Sequence, residues 1–378
     1  MVLLKKEPDL KGKLQVLSQD SQYDLACACS LHDYEHRKRS EDNKWIYPVT
    51  FEDGRKTFLF KTLLSNVCVN DCKYCPLRSS MDPERVTLKP EELASSFFKL
   101  RKTGMVNGLF LSSGVIGSAD NTMEKINTTA RILRRTGFRG YIHLKVIPGA
   151  SDAAIEDAVS LASAVSVNIE SAGEKHFSQL SESKNYIDDV IRPIKLISSL
   201  TEKGTRYGRV KQTTQFVVGA SDETDNEFVR YTWRLYKKLG LSRVYFSAYQ
   251  RGLGDRLLPG ELSSCSNKDI LMREHRLYQV DWLIRKYKFN ADEIPFDGTG
   301  NLSLTRDPKE MWALRHPDFF PVNINSAGKF DLLRVPGLGH IAVNRILDGR
   351  KKGMRYKRLS DIGKPGRLLK KADPYIIF

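Results

Sequence analysis

Thr57-Phe-Leu-Phe-Lys-Thr-Leu-Leu64-Ser65-Asn66-Val67-Cys68-Val69-Asn70-Asp71-Cys72-Lys73-Tyr74-Cys75 is an apolar, β-prone run that feeds directly into a three-cysteine loop. A buried strand leading into such a loop places the cysteines at the strand's C-terminal end. That is where parallel α/β folds keep their chemistry. Three thiolates spaced C-x3-C-x2-C can wrap one face of a metal centre. An iron–sulfur cubane held by three cysteines has one iron open to another ligand, as a catalytic zinc has an open position. A zinc knuckle completed by Cys265 or a histidine, or three plain buried thiols, are the other readings of the same spacing.

Downstream, the pattern alternates between strand and helix. Strands are expected at Thr57–Leu64, Gly108–Ser112, Gly140–Ile147, Ala164–Ile169, Thr213–Val218 and Arg243–Tyr249. Helices are expected at Pro90–Thr103, Asn121–Thr136, Asp152–Ser160, Ile187–Lys203 and Asp225–Leu239, with a longer one at Asn267–Lys288. Repeated βα units with short connections imply a parallel sheet. In the fourth strand, alternation puts Ser166, Asn168 and Glu170 on one face and Val167 and Ile169 on the other. His143 and Lys145 share a face of the third strand, and Tyr245, Ser247 and Tyr249 a face of the sixth; contact with a substrate and a structural role are both open to them.

The chain has 378 residues, 40% of them apolar, which is enough for a large catalytic domain and a small appendage. No apolar run approaches the ~20 residues of a membrane span. The opening Met-Val-Leu-Leu-Lys-Lys-Glu is charged too soon for a secretory signal. Six cysteines, three of them at ligand spacing, point to a reducing cytoplasm and not to a disulfide scaffold. Cys27 and Cys29 read as structural thiols, with an auxiliary metal role as the alternative.

The net charge of +16 is concentrated at the end of the chain. Residues 328–378 hold thirteen Lys/Arg and four Asp/Glu, a net +9. Such a block points to a polyanion partner, most simply nucleic acid. Inside it lies Asp331-Leu-Leu-Arg334-Val335-Pro336-Gly337-Leu338-Gly339-His340-Ile-Ala-Val-Asn-Arg345-Ile-Leu347. Gly337 and Gly339 permit a tight hairpin between two apolar helices, with backbone N–H groups and a helix N-terminus turned toward an anion. Arg334, His340 and Arg345 are the side chains placed to support that grip; a protein-binding or purely structural hairpin is the other reading of the same motif. A partial second copy follows at Leu359-Ser-Asp-Ile362-Gly363.

These motifs resemble known families. The cysteine run, with an aromatic (Tyr74) just before the third cysteine, resembles the signature of radical S-adenosylmethionine (SAM) enzymes. That resemblance implies an α/β fold, a partial (βα)6 barrel, and a [4Fe–4S] cluster on Cys68, Cys72 and Cys75. It also implies SAM bound through its amino and carboxylate groups at the open iron, and reductive cleavage to a 5′-deoxyadenosyl radical. An electron donor such as flavodoxin or ferredoxin is implied too. Ser112-Ser113-Gly114 stands where the family usually has Gly-Gly-Glu; it keeps the small residues and lacks the acid. Asn168 and Glu170 match strand positions near the SAM ribose, and Gln215 lies in a segment similar to the one that packs on adenine.

The C-terminal block resembles the helix-hairpin-helix motif of DNA repair and replication proteins, a small all-α domain. Over most of its length the chain resembles radical SAM proteins assigned to DNA modification or repair. The resemblance extends through Arg273-Glu-His-Arg-Leu-Tyr-Gln279, Asp307-Pro-Lys309 and Trp312-Ala-Leu-Arg-His316, for which no chemical role can be derived. The expected organisation is an extension at 1–50, the barrel at 51–255, a helical connector packed on it at 256–320, and the hairpin module at 321–378. The expected function is modification or repair of nucleic acid, DNA before RNA. The alternatives are action on structured RNA such as tRNA, and a non-catalytic iron–sulfur redox sensor that binds nucleic acid.

Overall fold

Six parallel strands form the frame of the computed structural model, which describes residues 8–24, 46–50, 56–364 and 366–378. They are β2 (Lys56–Leu63), β3 (Gly108–Ser112), β4 (Tyr141–Lys145), β5 (Ala164–Ser166), β6 (Lys211–Val218) and β7 (Arg243–Ala248). The expected (βα)6 half-barrel is present, in the sequential order of a curled sheet. One strand escaped the sequence reading. β1 (Ile46–Thr50) pairs antiparallel with β2 and extends the sheet to seven strands. Ahead of the sheet stands α1 (Leu10–Asp20), and Cys27 and Cys29 lie outside the described residues.

The strands are buried on both faces, as parallel strands covered by helices must be. From Leu59 to Leu63 every residue of β2 is buried, as is every residue of β6 from Gln212 onward. The crossover helices are α2 (Pro90–Lys102), α3 (Ala119–Arg135), α4 (Asp152–Leu161), α5 (Glu174–Leu180), α6 (Arg192–Leu200) and α7 (Asp225–Leu239). Local chemistry starts them: Pro90 stands in the first turn of α2, and the Ser118 and Ser151 side chains cap α3 and α4. α2, α3, α4 and α6 pack in succession against one another outside the sheet. Between α5 and α6 the chain makes a π-helical turn at Tyr186–Ile191, so the single helix expected over 187–203 is split.

The described chain divides into two compact units. The first comprises residues 1–223 and 234–274, and the second 224–233 and 275–378. The connector expected at 256–320 is therefore not one piece. Residues 256–274, with α8 (Pro259–Leu262) and the start of α9 (Asn267–Tyr287), group with the barrel. Residues 275–320 group with the C-terminal block.

The second unit contains α10 (Pro308–Arg315), α11 (Lys329–Arg334), α12 (His340–Lys351), α13 (Leu359–Ile362) and α14 (Arg367–Lys371). A short parallel pair, β8 (Val322–Asn323) with β9 (Ile376–Ile377), ties the two ends of its last fifty-odd residues together. α11 and α12 flank the Pro-Gly-Leu-Gly turn, and the short helices α13 and α14 follow, with α13 packed on α12. Among the described residues no helix is long and apolar enough to cross a membrane.

Candidate active site in the half-barrel

β2 ends at Leu63, and the chain runs on as the cysteine loop. This loop has almost no regular structure, so side chains hold its shape. The Arg85 guanidinium donates to four carbonyls of the loop, those of Asn66, Leu77, Arg78 and Met81. Arg78 donates to the carbonyl of Cys75 (3.0 Å) and to that of Leu253 in the segment after β7 (3.0 Å). Asn66 closes the base of the loop, accepting from Val86 N–H and donating to Asp20 and the Glu84 carbonyl. Gly114 lies against the loop's first residues, and a Cβ there would collide with the Val67 carbonyl. The small residue at 114 thus has a local cause, close contact with the cysteine loop itself.

Cys68, Cys72 and Cys75 line one cavity of about 200 Å³. Tyr74, Ser112, Ser113, Gly114, Asn168, Glu170 and Gln215 line the same cavity. Every cofactor position expected from the sequence is therefore brought to one place, at the C-terminal ends of β2, β3, β5 and β6. Lys145, Ser247 and Tyr249 join them, whereas His143 turns aside to Ser166 Oγ (2.9 Å). Leu63, Val115, Ile147 and Val217 give the cavity an apolar wall.

β5 ends at Ser166, two residues before Asn168, so these side chains are not on a strand as expected. Their facing still alternates: Val167 and Ile169 are fully buried, while Asn168 and Glu170 line the cavity. Glu170 has φ = +64°, in the left-handed region. For a residue with a side chain this costs about 1–2 kcal/mol. β6 enforces it from both sides, since Glu170 N–H donates to the Gln215 carbonyl (3.0 Å) and Val217 N–H to the Glu170 carbonyl (2.8 Å). Strain held by its surroundings in this way clusters at functional sites.

Burial pushes the Glu170 carboxyl above its ordinary range, opposed by Lys184, Lys145 and hydrogen bonds from Tyr74 and Asn168. Its Oε2 and the Asn168 Oδ1 are buried and have no partner among the described residues. Buried acceptors left unmade cost about 1–3 kcal/mol each, so they mark where a ligand's donors belong. Burial also pushes the Cys75 thiol up to about 12, with the Cys72 charge adding to it. At Cys72 burial raises the thiol, and the Lys184 ammonium, 2.9 Å from its sulfur, works against it. Among the described residues no group of three or more His, Cys, Asp or Glu side chains is gathered so as to hold a single metal ion. The three thiols line the same cavity.

Sequence reasoning missed Arg85, Arg78, Asp71 and Lys184. None of them belongs to a recognisable spacing; each acts by reaching across the fold.

In the second unit the residues singled out for nucleic acid have mixed fates. Arg334 is sandwiched between the Phe289 and Trp312 rings (4.4 and 4.6 Å) and paired with Glu293 (2.7 Å). Arg345 donates to the Ile362 carbonyl (2.9 Å), tying α12 to α13. Both are committed to packing. Gly337 has φ = +85°, and a Cβ there would collide with the Leu368 carbonyl of α14. Gly339 caps α12, and the next N–H, that of His340, meets the Tyr287 hydroxyl. His340 itself is exposed. So are Lys352, Arg355, Lys357, Lys364, Arg367 and Lys370, which the motif did not single out.

The profile of the radical SAM superfamily matches residues 62–232, from the end of β2 into α7. Domains of this superfamily use a [4Fe–4S] cluster and S-adenosylmethionine. No curated protein matches the chain. Among solved structures it is similar to the FeFe-hydrogenase maturase HydG from Carboxydothermus hydrogenoformans, at 18% identity and a TM-score of 0.45, over 58% of this chain and 50% of that one. It is similar to methylornithine synthase PylB at 14% and 0.44, over 58% and 62%. It is also similar to Streptococcus suis SuiB bound to S-adenosylmethionine, at 10% and 0.42, over 61% and 47%. The chain thus spans about half the length of the solved structures it matches, somewhat more for PylB.

Proposed function

We propose that this chain is a radical SAM enzyme that cleaves S-adenosylmethionine reductively at a [4Fe–4S] cluster held by Cys68, Cys72 and Cys75, and that it modifies or repairs nucleic acid, DNA before RNA. The observation that carries the first half is the meeting of three thiols and two unpartnered acceptors in one cavity. The donor set suits iron–sulfur chemistry, since thiolates are the usual ligands of such clusters. Bound there, the cluster and S-adenosylmethionine supply hydrogen-atom abstraction.

The protein's own part is placement. Glu170 Oε2 and Asn168 Oδ1 accept from the amino or hydroxyl groups of the ligand. Tyr74 holds the Glu170 carboxylate in place. Gln215 offers a further amide from β6, and the apolar wall keeps water from the reacting atoms. A duplex substrate would present its target base flipped out of the stack, because a base edge in a duplex cannot enter such a cavity.

The second half rests on the Pro-Gly-Leu-Gly hairpin in a segment of net charge +9. The exposed cations Lys352, Arg355, Lys357, Lys364, Arg367 and Lys370 carry the affinity, by pairing with phosphate. Binding should weaken steeply with salt, and Lys364→Glu with Arg367→Glu should lower the salt slope by about 1 for each phosphate no longer neutralised.

The test is anaerobic reconstitution of the full chain with iron, sulfide, reductant, S-adenosylmethionine and mixed nucleic acids, followed by mass spectrometry of nucleosides. Cys68, Cys72 or Cys75 changed to alanine should abolish both the iron–sulfur absorption and SAM cleavage, whereas changes at Cys27, Cys29 or Cys265 should leave the cluster in place. Stoichiometric zinc and no iron in anaerobic protein would overturn the cluster. Cleavage with modified RNA nucleosides only would move the substrate to structured RNA. Binding without SAM cleavage would favour a redox sensor.

A further inference from the structure

Asp71 stands inside the cysteine loop, immediately before Cys72, and its carboxylate points away from the cavity. It accepts four hydrogen bonds from the segment that follows α5: Ser181 Oγ (2.5 Å), Glu182 N–H (2.8 Å), Ser183 N–H (3.1 Å) and Ser183 Oγ (2.6 Å). Two more links join the same segments. Lys73 N–H donates to the Leu180 carbonyl (2.7 Å), and Lys73 Nζ pairs with Glu182 (2.6 Å). The next residue after this clamp is Lys184. The residue after that, Asn185, caps the π-helical turn through Ile187 N–H and Asp188 N–H. Lys184 is therefore fixed by its neighbours on both sides, and its Nζ is delivered to 2.9 Å from Cys72 Sγ.

We propose that Lys184 tunes the cluster site, its ammonium donating to the Cys72 sulfur while that sulfur ligates iron, and that Asp71 is the positioning residue that keeps it there. The inference rests on the reading that the three thiolates hold the cluster. Three thiolates and the Glu170 carboxylate share one cavity, so negative charge accumulates there. Adding an electron to a cluster in such a place is opposed by that charge. A cation hydrogen-bonded to a ligand sulfur eases it, because hydrogen bonds to the sulfurs are among the determinants of cluster potential. The charge-assisted bond is of the stronger kind, and its geometry is set by four bonds at Asp71, not by the flexible lysine stem.

The experiment is a potentiometric titration with dithionite, followed by electron paramagnetic resonance, on reconstituted full-length protein. The variants are Lys184→Met, Lys184→Arg, Asp71→Asn and the double variant Asp71→Asn/Lys184→Met. Lys184→Met should make the reduced cluster at least tenfold less favoured, a midpoint lower by about 59 mV or more for one electron. Lys184→Arg should recover most of the difference. Asp71→Asn should shift the midpoint the same way, and the double variant should equal Lys184→Met alone, since two residues acting through one interaction are not additive.

An unchanged midpoint in Lys184→Met, with a full cluster, overturns the proposal. So does cluster loss in both Lys184 variants. Loss in Lys184→Met with retention in Lys184→Arg supports it, because charge then decides assembly. Additive shifts in the double variant, or cluster loss in Asp71→Asn alone, would separate Asp71 from Lys184 and overturn its positioning role. If wild-type protein binds no cluster, it is the cluster assignment itself that fails.

Discussion

Glu170 combines three properties that rarely coincide: a left-handed backbone, a buried carboxylate and an oxygen with no partner among the described residues. Each is unfavourable for stability, and together they are understandable as preparation for a ligand. Substitution can separate the backbone cost from the side-chain function. Glu170→Gly and Glu170→Ala both remove the carboxylate, so both should lose SAM affinity in protein that still assembles its cluster. Only glycine relieves the left-handed strain. Glu170→Gly should therefore be more stable than Glu170→Ala by about 1 kcal/mol, as read by denaturant unfolding of the two proteins. Equal stability would mean that the backbone relaxes when the side chain is cut. Arg85 is the complementary case, a residue outside the cavity lining on which the loop depends. A lysine there keeps the charge but cannot reach four carbonyls. Leaving two or more of them unmet should cost about 2 kcal/mol or more. Arg85→Lys should speed proteolysis within residues 66–85 and lower the retained iron per chain.

Among elements, the Pro336–Gly339 turn shows how one motif can serve two ends. Read as a sequence, its glycines serve to expose backbone amides. In the structure Gly337 brings the turn against the Leu368 carbonyl, and Lys309 Nζ donates to the carbonyls of Leu333 (3.1 Å) and Leu338 (2.6 Å) at either side of it. The turn is thus a packing element first. Gly337→Val would place a β-branched residue at φ = +85° and drive its Cβ into backbone. The expected result is unfolding of the hairpin module, seen as early loss of helical signal on heating, together with weaker DNA binding. Weaker binding with an unchanged melt would assign the turn to phosphate binding instead.

Across the whole chain, the second unit is larger than the hairpin module alone. Trp312 stacks on His316 (4.2 Å) and meets Phe289, Phe319 and Phe320, and Lys371 pairs with both Asp307 and Glu310 (2.6 Å each). Truncation before Pro321 would strip Lys371 from Asp307 and Glu310, and Arg334 from the Phe289 and Trp312 rings, so the C-terminal helices should be studied within the full chain. The unit also carries a pH signature. Burial brings the Lys309 amine down to about 7, with Asp307 opposing the fall and Lys371 adding to it. Between about pH 7 and 10.5 the unfolded chain holds a proton here that the folded protein does not. This group's contribution to stability therefore grows as pH rises through that window, and is lost as pH falls toward 7. The melting-point gap between wild type and Lys309→Met should be wider at about pH 9 than at about pH 7. A constant gap would show that Lys309 is charged throughout.

The sequence by itself determined the frame and the chemistry of the cavity. Short apolar runs separated by helical stretches set six parallel strands in order, because burial on two faces leaves a continuous apolar run that can be read directly. The C-x3-C-x2-C spacing declared the thiols, because ligand geometry within eight residues is a local property. Tertiary structure alone decided the rest. β1 is an edge strand, stabilised by its partner and not by its own pattern. Asn168 and Glu170 reach the cavity from beyond a strand, because pairing with β6 and not propensity holds their backbone. Arg334 and Arg345 look like phosphate ligands in the sequence, yet stack and bond within the unit, since a guanidinium serves a carbonyl or a ring as well as a phosphate. Asp71 and Lys184 stand 113 residues apart. What joins them is four hydrogen bonds across a fold, and no spacing in a linear chain carries that information.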